Sequence, residues 1–456
     1  MLRYQTQKLA YLYFVGALVL FLAQVLFGLI IGLVYVLPNF LSVVLPFNIA
    51  RMIHINALLV WLLLGFFGAT YYLIPEEVER DIHSPLIAKL QFWLFFGAAA
   101  VAVVGYLFRI HEGREFLEQP IYVKIAIAVA VLMFLYNVSM TVLHGRKTAV
   151  ASVLLLGLWG AGVFFFFAFY EPANLVLDKI YWWWVVHIWV EGVWELIMAA
   201  ILAYLLIKVT GVDREVIEKW LYVIVALALL SGLLGTGHHY YWIGTPGYWR
   251  WIGSIFGALE ILPFFAMVVW AFYLLYQGGR RHENKAAVLW SIGCPLMAFF
   301  GAGVWGFMHT LSPINYYTHG TQVTAAHGHL AFFGAYAMVN FAIITYAMPS
   351  LRGLMPFNQV LNMWSFWLMT SGMAFMTFTL TFAGVVQTHM QRVVGGYSYM
   401  DVQDQIAVFF WMRLGAGVVF AVGAALFVYA VLGPAREQLL ARGVQPEPEP
   451  QPQPAE

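Results

Sequence analysis

Six histidines and a set of glutamates carry the chemistry of this chain, and their spacing narrows what that chemistry is. His187 and Glu191 are four apart, His238-His239 are adjacent, His327 and His329 flank one glycine, and His54 stands alone early in the chain. All lie in or at the ends of apolar runs, where ionisable side chains are costly and mark function. Several imidazoles on different helices at one depth point to bound metal, because neutral imidazole ligates iron, copper and zinc.

Residues two apart on a helix differ by about 200°. His327 and His329 therefore face opposite ways and suit one heme on each side of a single helix, with Ala325, Ala326 and Gly328 leaving room for flat macrocycles. His54 completes a bis-histidine, low-spin heme with one of them. His187 and Glu191 share a face about 6 Å apart along the axis. With His238 and His239 they make three imidazoles and one carboxylate, a set suited to non-heme iron. Glu195, one turn further, and the isolated Glu260 fit proton carriers beside such a site. The segment His111-Glu112-Gly-Arg114-Glu115-Phe-Leu-Glu118 reads equally as a solvated charged loop or as a place that binds a cation or admits protons.

The elements that position these groups are membrane helices. The chain is 62% hydrophobic and 10% charged, outside the range of soluble domains. A net charge of +1 excludes a nucleic-acid partner. The single cysteine, Cys294, excludes an internal disulfide and a thiolate centre, and reads as a small buried side chain. Apolar segments predict twelve helices over 9–36, 51–74, 86–108, 121–143, 150–170, 179–208, 217–238, 250–276, 286–310, 322–348, 359–386 and 404–432. The first is read as a retained helix, not a cleaved leader. The chain divides into a twelve-helix catalytic domain over 1–436 and a Pro-rich disordered cytoplasmic tail over 437–456.

Lysine and arginine placement sets the orientation. Fifteen fall at the termini and even-numbered loops and eight at the odd-numbered loops, so both termini are expected in the cytoplasm. All six singled-out histidines then lie in the outer half of the membrane. His83, His144, His282, His309, His319 and His389 are expected at the surface. Aromatic stretches such as Tyr181-Trp-Trp-Trp184 read as interfacial belts.

Taken together, these motifs resemble the heme–copper oxidase superfamily and, more closely, the large subunit of bacterial cytochrome c-dependent nitric oxide reductases. The stretches that carry the likeness are His187-Ile-Trp-Val-Glu191-Gly-Val-Trp-Glu195, Gly235-Thr-Gly-His238-His239-Tyr-Tyr-Trp-Ile-Gly-Thr-Pro-Gly247, Ala258-Leu-Glu260, His327-Gly-His329 and Glu112-Gly-Arg-Glu115-Phe-Leu-Glu-Gln-Pro120. The resemblance implies an all-α bundle of twelve transmembrane helices in the bacterial inner membrane, with its active site toward the periplasmic side. It implies low-spin heme b on His54 and His329, high-spin heme b on His327, and non-heme iron on His187, His238, His239 and Glu191. It further implies calcium at Glu112, and Glu115, Glu195 and Glu260 as carboxylates serving proton delivery or the site. The implied reaction is reduction of two nitric oxide molecules to nitrous oxide and water. No Cys-x-x-Cys-His motif occurs, so electrons must come from another protein, expected as a membrane-anchored cytochrome c small subunit.

An oxygen-reducing oxidase of the same superfamily is the alternative. Such oxidases resemble one another in a tyrosine cross-linked to a metal-binding histidine, and this chain has Glu191 or Gly232 at the places where that tyrosine falls. A transporter with proton-relay histidines also accommodates twelve helices, but leaves the histidine and glutamate set unexplained.

Overall fold

The computed structural model describes residues 2–276, 282–353 and 358–433. Among them there is no strand, and twelve helices are long and apolar enough to cross a membrane. They are α1 (Gln5–Val36), α2 (Phe47–Val78), α3 (Pro85–Leu107), α4 (Ile121–Leu143), α5 (Ala149–Phe169), α6 (Leu175–Thr210), α7 (Arg214–Tyr240), α8 (Trp249–Tyr273), α9 (Lys285–Thr310), α10 (Gln322–Leu351), α11 (Gln359–Val394) and α12 (Ala407–Leu432). All twelve fall where the apolar runs placed them. The tail over 437–456 lies outside the described residues.

Side-chain caps set several helix starts. Ser84 accepts from the Ile87 amide with Pro85 at the first turn, and Thr148 accepts from Ala151. Asn174 caps α6, Asp213 caps α7, and Thr321 caps α10 by accepting from Val323. Each cap satisfies an amide that the first turn leaves without a backbone partner, which matters more where little water reaches. Gly211 ends α6 at φ 67°, a left-handed geometry that costs glycine nothing.

Three helices, α2, α6 and α10, form the interior and the rest surround them. From Trp194 to Leu206 every residue of α6 is buried, as expected of a helix apolar on all faces. The inner helices carry His54, His187 with Glu191, and His327 with His329. The remaining pair, His238-His239, sits where the α7 helix gives way to a 3-10 turn, Thr236–Tyr240. Successive helices alternate in direction, so all six histidines gather toward one end of the bundle.

The opposite end is closed by ion pairs. Lys208 of α6 lies 2.5 Å from Glu76 of α2, which also accepts from the Gln7 amide. Arg214 pairs with buried Glu77, whose other contact is the Thr148 hydroxyl at 2.8 Å. Lys208 is thus a tie between α6 and α2.

Candidate metal and heme centre

The α6 helix does not run straight through the site. Trp189–Val193 forms a π-turn, and Glu191 within it has φ −109° and ψ 32°, off the helical values. A π-turn frees backbone carbonyls and re-aims side chains, and such turns recur at functional sites. Here it turns Glu191 toward His187 of the preceding turn and His238 of α7. His187 Nδ1 stands 3.5 Å and His238 Nε2 stands 3.9 Å from Glu191 Oε2. His239 Nε2 lies 3.2 Å from His187 Nδ1. One ligand atom from each of the four residues falls within 4.8 Å of every other. Nitrogens on one tetrahedral ion with bonds of about 2 Å stand about 3.3 Å apart, so the cluster has the size of a single metal site.

The surroundings support that reading. His187 Nε2–H donates to the Gly232 carbonyl at 3.0 Å, which fixes the tautomer and leaves Nδ1 bare toward the cluster. His239 stacks on Trp183 with ring centres 3.6 Å apart. His238 Nδ1, Glu260 Oε1 and Glu195 Oε1 are buried and have no hydrogen-bond partner among the described residues. Unsatisfied polar atoms in an apolar interior are costly, so three beside one cluster mark a place built for a further group. Two glycines make the room. A Cβ at Gly232 would collide with the Glu191 carbonyl oxygen, and one at Gly235 with the Glu260 carboxyl. Gly232 stands at one of the places where the tyrosine of the oxidases falls, and a side chain there would clash with the Glu191 backbone.

The other three histidines are each oriented by a backbone carbonyl. His54 and His329 face each other with ring centres 6.5 Å apart and planes 33° apart. Two metal–imidazole bonds of about 2 Å plus two ring radii of about 1.1 Å sum to about 6.2 Å, close to the separation one iron between them would require. Both rings turn Nδ1 outward: His54 donates to the Gln24 carbonyl and His329 to the Ala325 carbonyl, each at 2.7 Å. Their Nε2 atoms are left for the gap. His327, on the other side of α10, donates from Nδ1 to the Gly301 carbonyl at 3.0 Å. Gly301 belongs to a second π-turn, Phe299–Trp305 of α9. A third π-turn, Phe332–Ala337, follows in α10 and contains Tyr336, whose hydroxyl donates to the Val190 carbonyl of the first. Freed backbone carbonyls thus aim His327 and tie α10 to the turn bearing Glu191. Glu191 also lies within electrostatic reach of His327.

The loop between α3 and α4 is not a solvated charged face. Glu112 pairs with fully buried Lys124 and Glu115 with Arg51, while Arg114 pairs with Asp178 of α6. Glu118 is buried, accepts from the Asn56 amide at 2.9 Å, and burial pushes its carboxyl above the usual range. Trp182 of α6 donates to the Glu115 carbonyl at 2.7 Å. The segment is a folded cap over the histidine end.

His83, His144, His319 and His389 are exposed as expected. His282 is only partly exposed, and so is His309, whose ring centre lies 6.0 Å from that of His327 and which is held by the Thr318 and Thr324 hydroxyls. Asn56, Lys124 and Tyr336 also escaped notice in the sequence, where nothing local distinguishes them from packing residues.

A twelve-helix bundle with a bis-histidine gap and a histidine and glutamate cluster defines a class, and comparison with known proteins agrees. The chain belongs to the cytochrome c and quinol oxidase polypeptide I family, whose sequence model matches residues 8–419. It is 57% identical over 450 residues to a nitric oxide reductase subunit from Stutzerimonas stutzeri, covering 94% of this chain and 95% of that protein. A cytochrome c oxidase subunit 1 homolog of Agrobacterium tumefaciens (strain T37) is 23% identical, over 92% of this chain and 83% of its own. The solved structure of a heme-copper terminal oxidase dimer shares the fold at a TM-score of 0.72 and 15% identity, covering 94% of this chain and 85% of that one. Membership implies a multi-pass membrane protein with hemes and a metal, consistent with the donor set described above.

Proposed function

We propose that this chain is the catalytic large subunit of a nitric oxide reductase, taking two nitric oxide molecules, two electrons and two protons to nitrous oxide and water. The observation that carries the reading is the 57% identity to the Stutzerimonas stutzeri nitric oxide reductase subunit over nearly the whole of both chains. The carboxylate at Glu191, where many oxidases have tyrosine, favours it over an oxygen reductase. His54 and His329 would hold low-spin heme b, His327 high-spin heme b, and His187, His238, His239 and Glu191 non-heme iron. A heme iron held by His327 and a non-heme iron held by His187, His238, His239 and Glu191 would supply binding places for two small ligands within one site.

The chain's own residues do the rest. Glu191 supplies the negative charge that offsets a cation among three imidazoles. Glu195 and Glu260, each with one buried carboxyl oxygen lacking a hydrogen-bond partner, can pass protons to the cluster. Half-buried Trp183, stacked on His239, and buried Trp194 and Tyr336 keep bulk water away. Calcium at Glu112 would share that carboxylate with the Lys124 ammonium. Electrons would come from a membrane-anchored cytochrome c subunit.

We further infer an inner-membrane location with both termini cytoplasmic and the histidine end toward the periplasm, from the fifteen-to-eight charge bias. Protons then enter from the outer side, where Glu112, Glu115, Glu195 and Glu260 lie near or above the cluster, because the inner halves of α2, α6, α8 and α10 are nearly free of ionisable residues. In liposomes, turnover with electrons and protons supplied on the same side should translocate no net charge. Proton uptake on the cytoplasmic side coupled to a membrane potential would overturn this route.

The reading itself is tested by turnover of the purified complex under nitric oxide. One nitrous oxide should form per two nitric oxide consumed. Oxygen consumption with no nitrous oxide would establish the oxidase instead.

A further inference from the structure

The low-spin site has beside it a charge that neither the ligand set nor the proton route uses. Arg413 lies six residues into α12 from Ala407, while His54 and His329 lie seven residues into α2 and α10. All three helices start at the same end, so at about 1.5 Å per residue the three side chains root about 9–10 Å deep. A cation at that depth is costly unless an anion meets it. Among the described residues no carboxylate stands within ion-pair distance of Arg413. Its guanidinium instead lies 4.9 Å from the Tyr35 ring centre, and Tyr35 is fixed by Phe410 at 4.6 Å and Phe47 at 5.4 Å.

This placement lies beside the two histidines. Tyr35 belongs to α1, the same helix whose Gln24 carbonyl orients His54. Next to Arg413, Leu414 packs so closely on α1 that a Cβ at Gly32 would lie 3.2 Å from it. The positive charge of Arg413 reaches both His54 and His329. Arg51, the other cation near His54, already has Glu115 as its counter-charge.

We propose that Arg413 is the counter-charge for a carboxylate on the edge of the heme held between His54 and His329, and that it raises that heme's reduction potential. Heme carries carboxylate side chains, and the planar guanidinium fork matches a carboxylate in two hydrogen bonds. A fixed cation there disfavours the additional positive charge of the oxidised iron. The electron-accepting heme is thereby made easier to reduce. This rests on the bis-histidine reading given above.

The test is a spectroscopic redox titration of the purified wild-type and Arg413→Gln complexes. The variant should keep both hemes and shift the low-spin reduction equilibrium about tenfold toward the oxidised form, about 59 mV for one electron, with the high-spin heme unmoved. A low-spin midpoint equal to wild type, or an equal shift in both hemes, would overturn the proposal. If Arg413→Gln loses the heme, resonance Raman of Arg413→Lys decides. A displaced carboxylate-bending band of the low-spin heme supports the contact, and an unchanged band overturns it, as expected if the guanidinium serves a lipid phosphate. A wild-type complex with no bis-histidine spectrum would instead sink the heme reading on which the proposal rests.

Discussion

Glu191→Ala should lower nitric oxide reduction by about 100-fold or more and strip the non-heme metal while both hemes stay bound. Outer-shell partners of metal ligands are already worth about 10–100-fold in affinity or activity, and a ligand should cost no less. Glu191 is the single carboxylate in the four-residue cluster, and its removal leaves three imidazoles with no negative charge among them. The hemes should survive because His54, His329 and His327 take their orienting hydrogen bonds from other carbonyls, those of Gln24, Ala325 and Gly301. Alanine also suits the π-turn, so the helix path has no reason to change. Wild-type turnover with undiminished non-heme iron in this variant would remove Glu191 from the site.

The second large effect separates the two sides of α10. His54→Ala should abolish the low-spin heme signal and leave the high-spin one, since the 6.5 Å gap between His54 and His329 loses one of its two ligands. His327→Ala should do the reverse. Each variant removes one ring and no helix, so membrane insertion should persist, and optical spectra of the solubilised variants give the answer. Loss of the same spectral component in both would mean that His327 and His329 do not serve separate hemes.

Much of this was legible in the sequence because the bilayer imposes simple rules. Long apolar runs have to be helices, so the twelve spans and their order followed from length and hydropathy. The four-residue spacing of His187 and Glu191 and the two-residue spacing of His327 and His329 likewise fixed which side chains share a face. The π-turns were not legible. Trp189-Val-Glu-Gly-Val193 has no proline and would read as ordinary helix, and it deviates because the packed surroundings, including the Tyr336 hydroxyl on the Val190 carbonyl, favour the freed backbone groups. The loop of Glu112, Glu115 and Glu118 was ambiguous for a related reason. Its partners Lys124, Arg51 and Asn56 lie on other helices, so only the tertiary fold shows that its charges are paired. Arg413 was likewise only one of eight charges tallied for the odd-numbered loops, and its setting depends on Tyr35 in the first helix.

The central claim is that His187, Glu191, His238 and His239 bind an iron separate from the heme irons. Quantifying iron, copper and heme in the purified complex tests it most directly. Iron should exceed heme by one atom per complex, with copper absent. Iron equal to heme together with one copper per complex would contradict the claim and return the chain to the oxidases.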